Sequence, residues 1–200
     1  ELELLNELHV HDNGAVGVLT NDPDWNWQVT HLNQFASLSP DWPGANAAIE
    51  VGTEVGTVPA PVGHGLNLGG LPGDFSPPSR FVRMFFLRSY AHLNRPPATR
   101  RDALALAQGL LNNVHIPRGT VSSKGRNVGS TAEEFTQYAV LKVPETRQFF
   151  WRSYDNMQWR LVDVGRVVAA ANARAPGALR KTLAVFDGTF GAKDVTGALM

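Results

Sequence analysis

The sequence predicts an α+β fold in which helices cover one face of a mostly antiparallel sheet. Three features carry that expectation. Apolar and polar residues alternate with period two at the start of the chain, and strand-like runs recur between residues 138 and 164. Two longer segments between them place apolar residues at helical spacing. The strands of the C-terminal half follow one another through tight turns, as in an antiparallel meander.

The first segment, Glu1 to Val10, sets Leu2 and Leu4 against Glu1 and Glu3, then Leu8 and Val10 against Glu7 and His9, the pattern of a half-buried strand. Asn13-Gly14 is a strong hairpin signal, because both central positions of the favoured turn want φ > 0. Ala15 to Thr20 would be the return strand. Asp22-Pro23 breaks it, and Asp24 caps a helix expected from Asp24 to Leu38, with Trp25, Val29, Leu32, Phe35 and Ala36 near 3.6 spacing. From Ser39 to Gly73 the chain is dense in Gly and Pro and reads as an irregular connection.

Ser76-Pro-Pro-Ser79 starts a second helix, since proline is tolerated in a first turn, and Phe81, Met84, Phe85 and the run to Leu93 continue it. Asn94-Arg-Pro-Pro97 stops it. Thr99 caps a third, Arg100 to Val114, with Leu104, Ala107, Leu110 and Leu111 on one face, and the two long helices read as an antiparallel pair. After a polar stretch to Glu134, Tyr138–Val143, Gln148–Ser153 and Met157–Val164 read as strands joined at Pro144-Glu145 and Asp155-Asn156. The tail from Gly165 is rich in Ala, Gly and Arg and reads as peripheral, with a short helix around Leu179 to Val185. No internal repeat and no long linker divides the chain, so residues 1–164 form one body and 165–200 its tail.

Composition excludes several classes of function. A chain of 200 residues that is 43% hydrophobic and only 18% charged folds rather than staying disordered. Its longest apolar runs fall well short of the roughly 20 residues of a bilayer crossing, and its first ten residues have neither the basic nor the apolar region of a signal peptide. Eighteen basic residues balance eighteen acidic ones, so no global field attracts nucleic acid. There is no cysteine, which removes disulfides, thiolate metal sites and any cysteine nucleophile within these residues.

Most candidate chemistry reads as structural. His9 and His11 share a strand face as a metal half-site would, but no third ligand is suitably spaced, and no metal or cofactor is expected. The glycine-rich run from Gly63 to Gly70 lacks the lysine of a phosphate loop and reads as a turn. His31, His64, His92 and His115 form no defensible Ser-His-Asp pattern. Trp25, Trp27, Trp42, Trp151 and Trp159 could line an apolar pocket, although aromatics on regular elements belong to the core first.

Two residues stand out. Asn21 ends an apolar strand just before a proline turn, where its amide either donates to a developing oxyanion or merely closes the turn on the backbone. Arg80 lies in the first turns of a helix, against the macrodipole, and so has either a tertiary role or an ion pair with Asp74.

The strings GVLTNDPDWNWQVTHLNQFASLS (17–39), GGLPGDFSPPSRFVR (69–83), TQYAVLKV (136–143) and FFWRSYDNMQWRLVDV (149–164), in this order and spacing, resemble the C-terminal half of the choloylglycine hydrolase family, which includes bile salt hydrolases and penicillin V acylases. The resemblance runs from about Glu1 to Val164. It implies the N-terminal nucleophile (Ntn) hydrolase fold, a four-layer αββα sandwich that would be incomplete here. It also implies hydrolysis of small-molecule acyl amides through a thioester on an N-terminal cysteine, whose α-amino group moves the proton. In that setting Asn21 forms part of the oxyanion hole, Arg80 stands beside the nucleophile and favours its thiolate, and Trp25 borders the acyl group.

The family's nucleophilic cysteine belongs to a half that these residues do not include. The resemblance therefore implies a fragment of a longer hydrolase, inactive alone, or else a degenerate relative that only binds hydrophobic acyl compounds. Family members are commonly tetrameric, so the intact parent is expected to be an oligomer. The Trp25 and Trp27 helix and the PPSRFVR string look more like the acylases of Gram-negative bacteria, which implies a periplasmic or envelope location. Bile salts, penicillin V and acyl homoserine lactones all remain open as substrates.

Overall fold

The computed structural model describes residues 14, 16–42, 50–53, 56–59, 63–122, 133–173 and 196–199. They fall into two compact units, Glu1–Ala98 and Thr99–Met200.

In the first unit, the expected opening strand and Asn13 lie outside the described residues. The described part of the return strand, residues 17–20, joins no ladder. Gly17 has φ 64°, which turns the chain out of an extended path, and the Arg88 guanidinium packs onto it. A Cβ at Gly17 would lie 2.5 Å from Arg88 Cζ. Helix α1 spans Trp25–His31, and Asp24 caps it by accepting from the Trp27 N–H at 3.1 Å. The helix expected as far as Leu38 instead tightens into a 3₁₀ turn over Leu32–Phe35, a common way to close a last turn.

The stretch 39–73 is not wholly irregular. Strands β1 (Glu50–Thr53) and β2 (Gly56–Pro59) pair antiparallel within it. Glycines and prolines masked two short strands, and Pro59 sits at the end of its strand, where a missing N–H costs the ladder little. Helix α2 covers Pro77–Asn94, with Ser76 extended at the cap position and prolines in the first turn, as expected. Its buried face includes Phe81, Val82, Arg83 and Phe86. Leu38, Val82 and Phe86 form the core of this unit, with Leu32, Phe35, Leu71, Phe85 and Tyr90 packed around them. The Tyr90 hydroxyl donates to the Leu38 carbonyl at 2.6 Å, which ties the end of the α1 segment to α2.

The second unit opens with helix α3, Arg100–Asn112, whose N-terminus is a complete capping box of Thr99 and Asp102. The polar stretch before residue 135 contains a two-residue ladder, β3 (Val121–Ser122) with β4 (Glu133–Glu134), too short to leave a periodic signal. The meander is as expected: β5 (Tyr138–Val143), β6 (Gln148–Ser153) and β7 (Arg160–Asp163) form an antiparallel sheet in chain order. Val140 faces Trp151, and Phe149 faces Val162.

Strand β7 begins later than the expected Met157. Asn156 holds the preceding turn, accepting the Gln158 N–H on its side chain and the Ser153 N–H on its carbonyl. The tail also departs from expectation. Helix α4, Val164–Asn172, starts where the strand ends, because Asp163 caps it through the Arg166 N–H at 3.0 Å. Helix α5, Thr196–Leu199, returns to β7, its buried Thr196 hydroxyl accepting the Asp163 N–H at 3.0 Å. The helix expected near Leu179 lies outside the described residues. Among the described residues every strand pair is antiparallel, and helices and strands come in separate runs along the chain, as in an α+β fold.

Candidate functional site

Two loops of the first unit converge on one hydrogen bond. The first loop, Thr20 to Asp24, passes through a cis Asp22–Pro23 bond into the capped start of α1. Below it lies Gln28, only 1% exposed. Its Nε2 donates to the Pro23 carbonyl at 2.5 Å, and its Oε1 lies 2.5 Å from the Thr20 hydroxyl. That hydroxyl is also 3.2 Å from the Pro77 carbonyl at the start of α2, so its one proton has acceptors on both elements. Asn21 and Asp22 stand exposed above this bracket.

The second loop, Leu71 to Ser76, is held by two residues. Arg83 is buried, and its Nη1 donates to the carbonyls of Pro72 (2.6 Å) and Asp74 (3.0 Å). Burial lowers the pKa of this guanidinium, with Asp74 opposing the shift and Arg80 adding to it. The Asp74 carboxylate accepts from the Ser76 N–H at 2.9 Å and the Ser79 hydroxyl at 2.5 Å. The bonds from Ser76 and then Ser79 hold its pKa down to about 2.

Arg80 joins the loops. Its Nε donates to the Phe75 carbonyl at 3.0 Å, and its Nη2 donates to Asn21 Oδ1 at 2.8 Å across 59 residues of chain. The Asp74 ion pair considered for Arg80 is therefore not what holds it: that carboxylate is engaged by the serines. Asn21 likewise does not close its own turn, because its oxygen is taken by Arg80.

The bond also fixes the sense of the amide. A guanidinium has donors and no acceptor, so the atom facing it must be the carbonyl oxygen. The Asn21 NH₂ group is thus turned away from Arg80 and has no hydrogen-bond partner among the described residues. An oriented donor beside a fixed positive charge suits an anion that develops on an oxygen.

The remaining candidates are dispersed. Trp25, half-buried, opens α1 four residues after Asn21. Trp27 and Trp42 are each 45% exposed, contrary to a core role, and stack on His31 and His64 with centroids 4.7 and 4.9 Å apart. Trp151 is core. His115 stacks on Tyr154, and burial, aided by Arg152, lowers its pKa. His9 and His11 lie outside the described residues, and among those described no group of His, Asp or Glu could hold a metal. Gln28, Thr20 and Arg83 are the supporting residues that sequence reading missed. Gln28 left one signal: with Trp25, Val29 and Leu32 it falls on the apolar stripe of α1.

Residues 3–167 match the sequence profile of the linear amide C–N hydrolases, choloylglycine hydrolase family. The chain belongs to that family. It is 32% identical over 181 residues to the bile salt hydrolase/transferase of Clostridium perfringens, covering 90% of this chain and 50% of that protein. It is 34% identical over 136 residues to the conjugated bile acid hydrolase of Lactobacillus gasseri, covering 68% and 38% respectively. A crystal structure of a mutant conjugated bile acid hydrolase from Clostridium perfringens superposes with a TM-score of 0.64 at 28% identity, over 90% of this chain and 48% of that one. This member of the choloylglycine hydrolase family thus spans half or less of the length of these relatives. The Asn21–Arg80 pair lies within the matched residues.

Proposed function

We propose that this chain supplies the oxyanion-binding amide and the electrostatic arginine of an amidohydrolase that cleaves small-molecule acyl amides. The observation that carries the reading is the Arg80–Asn21 bond, which orients the Asn21 NH₂ group and leaves it without a partner among the described residues. The nucleophile is a cysteine thiolate at a mature N-terminus outside these 200 residues, which themselves contain no cysteine. The fold of the parent enzyme on this reading is the αββα Ntn-hydrolase sandwich.

The thiolate attacks the amide carbon, a C–S bond forms, and the carbonyl electron pair moves to oxygen. The Asn21 NH₂ donates to that oxyanion. Because the donor is already in place, no reorganisation is needed as the charge develops. The C–N bond then breaks, and the leaving amine takes a proton from the cysteine's own α-ammonium group. Water hydrolyses the thioester to release the acid and regenerate the thiol. Arg80 uses two of its five N–H groups on Asn21 and Phe75, and its charge lowers the pKa of a nearby thiol.

The names of the relatives, bile salt hydrolase and conjugated bile acid hydrolase, support an acyl group that is large and apolar, with Trp25 at its border. The alternative reading is a non-catalytic module that binds hydrophobic acyl compounds.

The test is amine release from a glycine-conjugated bile acid and from penicillin V by the full-length protein, before and after alkylation of its thiols. Turnover abolished by alkylation is expected. Turnover that survives alkylation overturns the thiol mechanism, and tight binding without turnover supports the second reading.

A further inference from the structure

We propose that Gln28 is a positioning residue for the oxyanion-binding amide, acting through the loop that carries Asn21 and not on the substrate. The inference rests on the proposed role of Asn21 and deepens it. A glutamine side chain that is 1% exposed on an apolar helix stripe has been taken out of water for some structural return. Its two hydrogen bonds go to the residues that bracket the exposed pair Asn21-Asp22: the Thr20 hydroxyl on one side and the Pro23 carbonyl on the other, each at 2.5 Å. One planar amide therefore sets the separation of the two ends of the turn.

The orientation of that amide is determined by its partners. The Pro23 carbonyl can only accept, so it faces Nε2, and Oε1 must face the Thr20 hydroxyl. Thr20 in turn lies 3.2 Å from the carbonyl of Pro77, the first residue of the helix that bears Arg80. Gln28 thus determines where the Asn21 turn stands relative to α2. Arg80 then determines which face of the Asn21 amide points outward. Arg80 selects the sense of the donor and Gln28 selects its position.

Loss of either bond lets the turn relax while the remainder of α1, capped by Asp24, stays in place. A donor displaced by about an ångström stabilises the transition state much less, and such displacements cost up to about 10²-fold in rate. The ground-state substrate does not use the oxyanion donor, so KM should change little.

The experiment is a double-mutant cycle in the full-length enzyme, with a glycine-conjugated bile acid as probe and rates normalised to thiol-titrated active sites. Gln28→Met keeps length and volume but removes both polar groups. Thr20→Val, isosteric at the other end of the bracket, serves if Gln28→Met does not fold. Either variant should lower kcat by about 10-fold or more with KM nearly unchanged. In an Asn21→Ala background the same change should lower kcat no further, because the donor it positions is gone.

Full additivity with Asn21→Ala, or wild-type kcat in a folded bracket variant, overturns the role of Gln28 while leaving that of Asn21 intact. If Asn21→Ala itself retains wild-type kcat, the oxyanion reading fails and this inference fails with it. A bracket residue that served only stability would lower the melting temperature and the titratable fraction, with kcat per active site unchanged.

Discussion

Replacing Asn21 by aspartate separates the two faces of its amide. The oxygen that accepts from Arg80 at 2.8 Å is retained, and the bond becomes charge-assisted. The NH₂ group becomes a second carboxylate oxygen. Losing one oxyanion donor costs about 10² to 10³ in kcat. The new oxygen would also face the developing oxyanion at about 3 Å, where two unit charges at an effective dielectric of about 20 repel by about 5 kcal/mol, partly offset by the Arg80 charge. The sum predicts a fall in kcat of at least about 10³. Stability should move the other way or not at all, since Asn21 is exposed and an exposed ion pair contributes about 0 to 1 kcal/mol. The assay is steady-state hydrolysis of a conjugated bile acid by the full-length variant, with its melting temperature measured alongside. A folded Asn21→Asp enzyme with kcat within about threefold of wild type would refute the reasoning, because an oxyanion donor cannot become an anion at so small a cost.

Three further outcomes follow from the same geometry. Arg80→Lys keeps the charge but cannot reach Phe75 and Asn21 together, so kcat should fall while the pH dependence of thiol alkylation shifts less; unchanged kcat would make Arg80 structural. The Asp74 pKa is depressed to about 2 from 3.8, so its contribution to stability is complete above the unfolded value and is lost as pH falls from about 4 to 2. Asp74→Asn should therefore flatten the melting temperature over that window, and an unaltered slope would show that its serine bonds contribute nothing. Thr99→Ala removes one half of the capping box of α3 and should cost about 1 kcal/mol in urea unfolding, whereas Thr99→Asp should largely restore it.

The elements that were legible in sequence are those with dense local signals. Helix α2 begins at its paired prolines and ends before Arg95, α3 starts after its Thr99 cap, and β5 and β6 have the expected bounds to the residue. Strands β1 and β2 were not legible, because a four-residue strand containing glycine or proline carries too little periodicity to register. Helix α4 was missed because its start depends on one side chain, Asp163, that also ends a strand. At the site, Asn21 and Arg80 were each conspicuous against local preference, but their mutual bond spans 59 residues and has no local signature. Gln28 illustrates the opposite difficulty: its position on an apolar stripe was visible, yet a buried glutamine becomes informative only when its partners on Thr20 and Pro23 are known.

The central claim is that Arg80 holds the Asn21 amide so that its NH₂ group meets the oxyanion. The most direct measurement is a crystal structure of the full-length enzyme with an aldehyde analogue of the acyl group, which forms a tetrahedral hemithioacetal on the nucleophilic cysteine. The account predicts Asn21 Nδ2 at about 2.7–3.1 Å from the hemithioacetal oxygen, with Asn21 Oδ1 still bonded to Arg80. A hemithioacetal oxygen bound by other donors, with Asn21 turned away from it, would contradict the account.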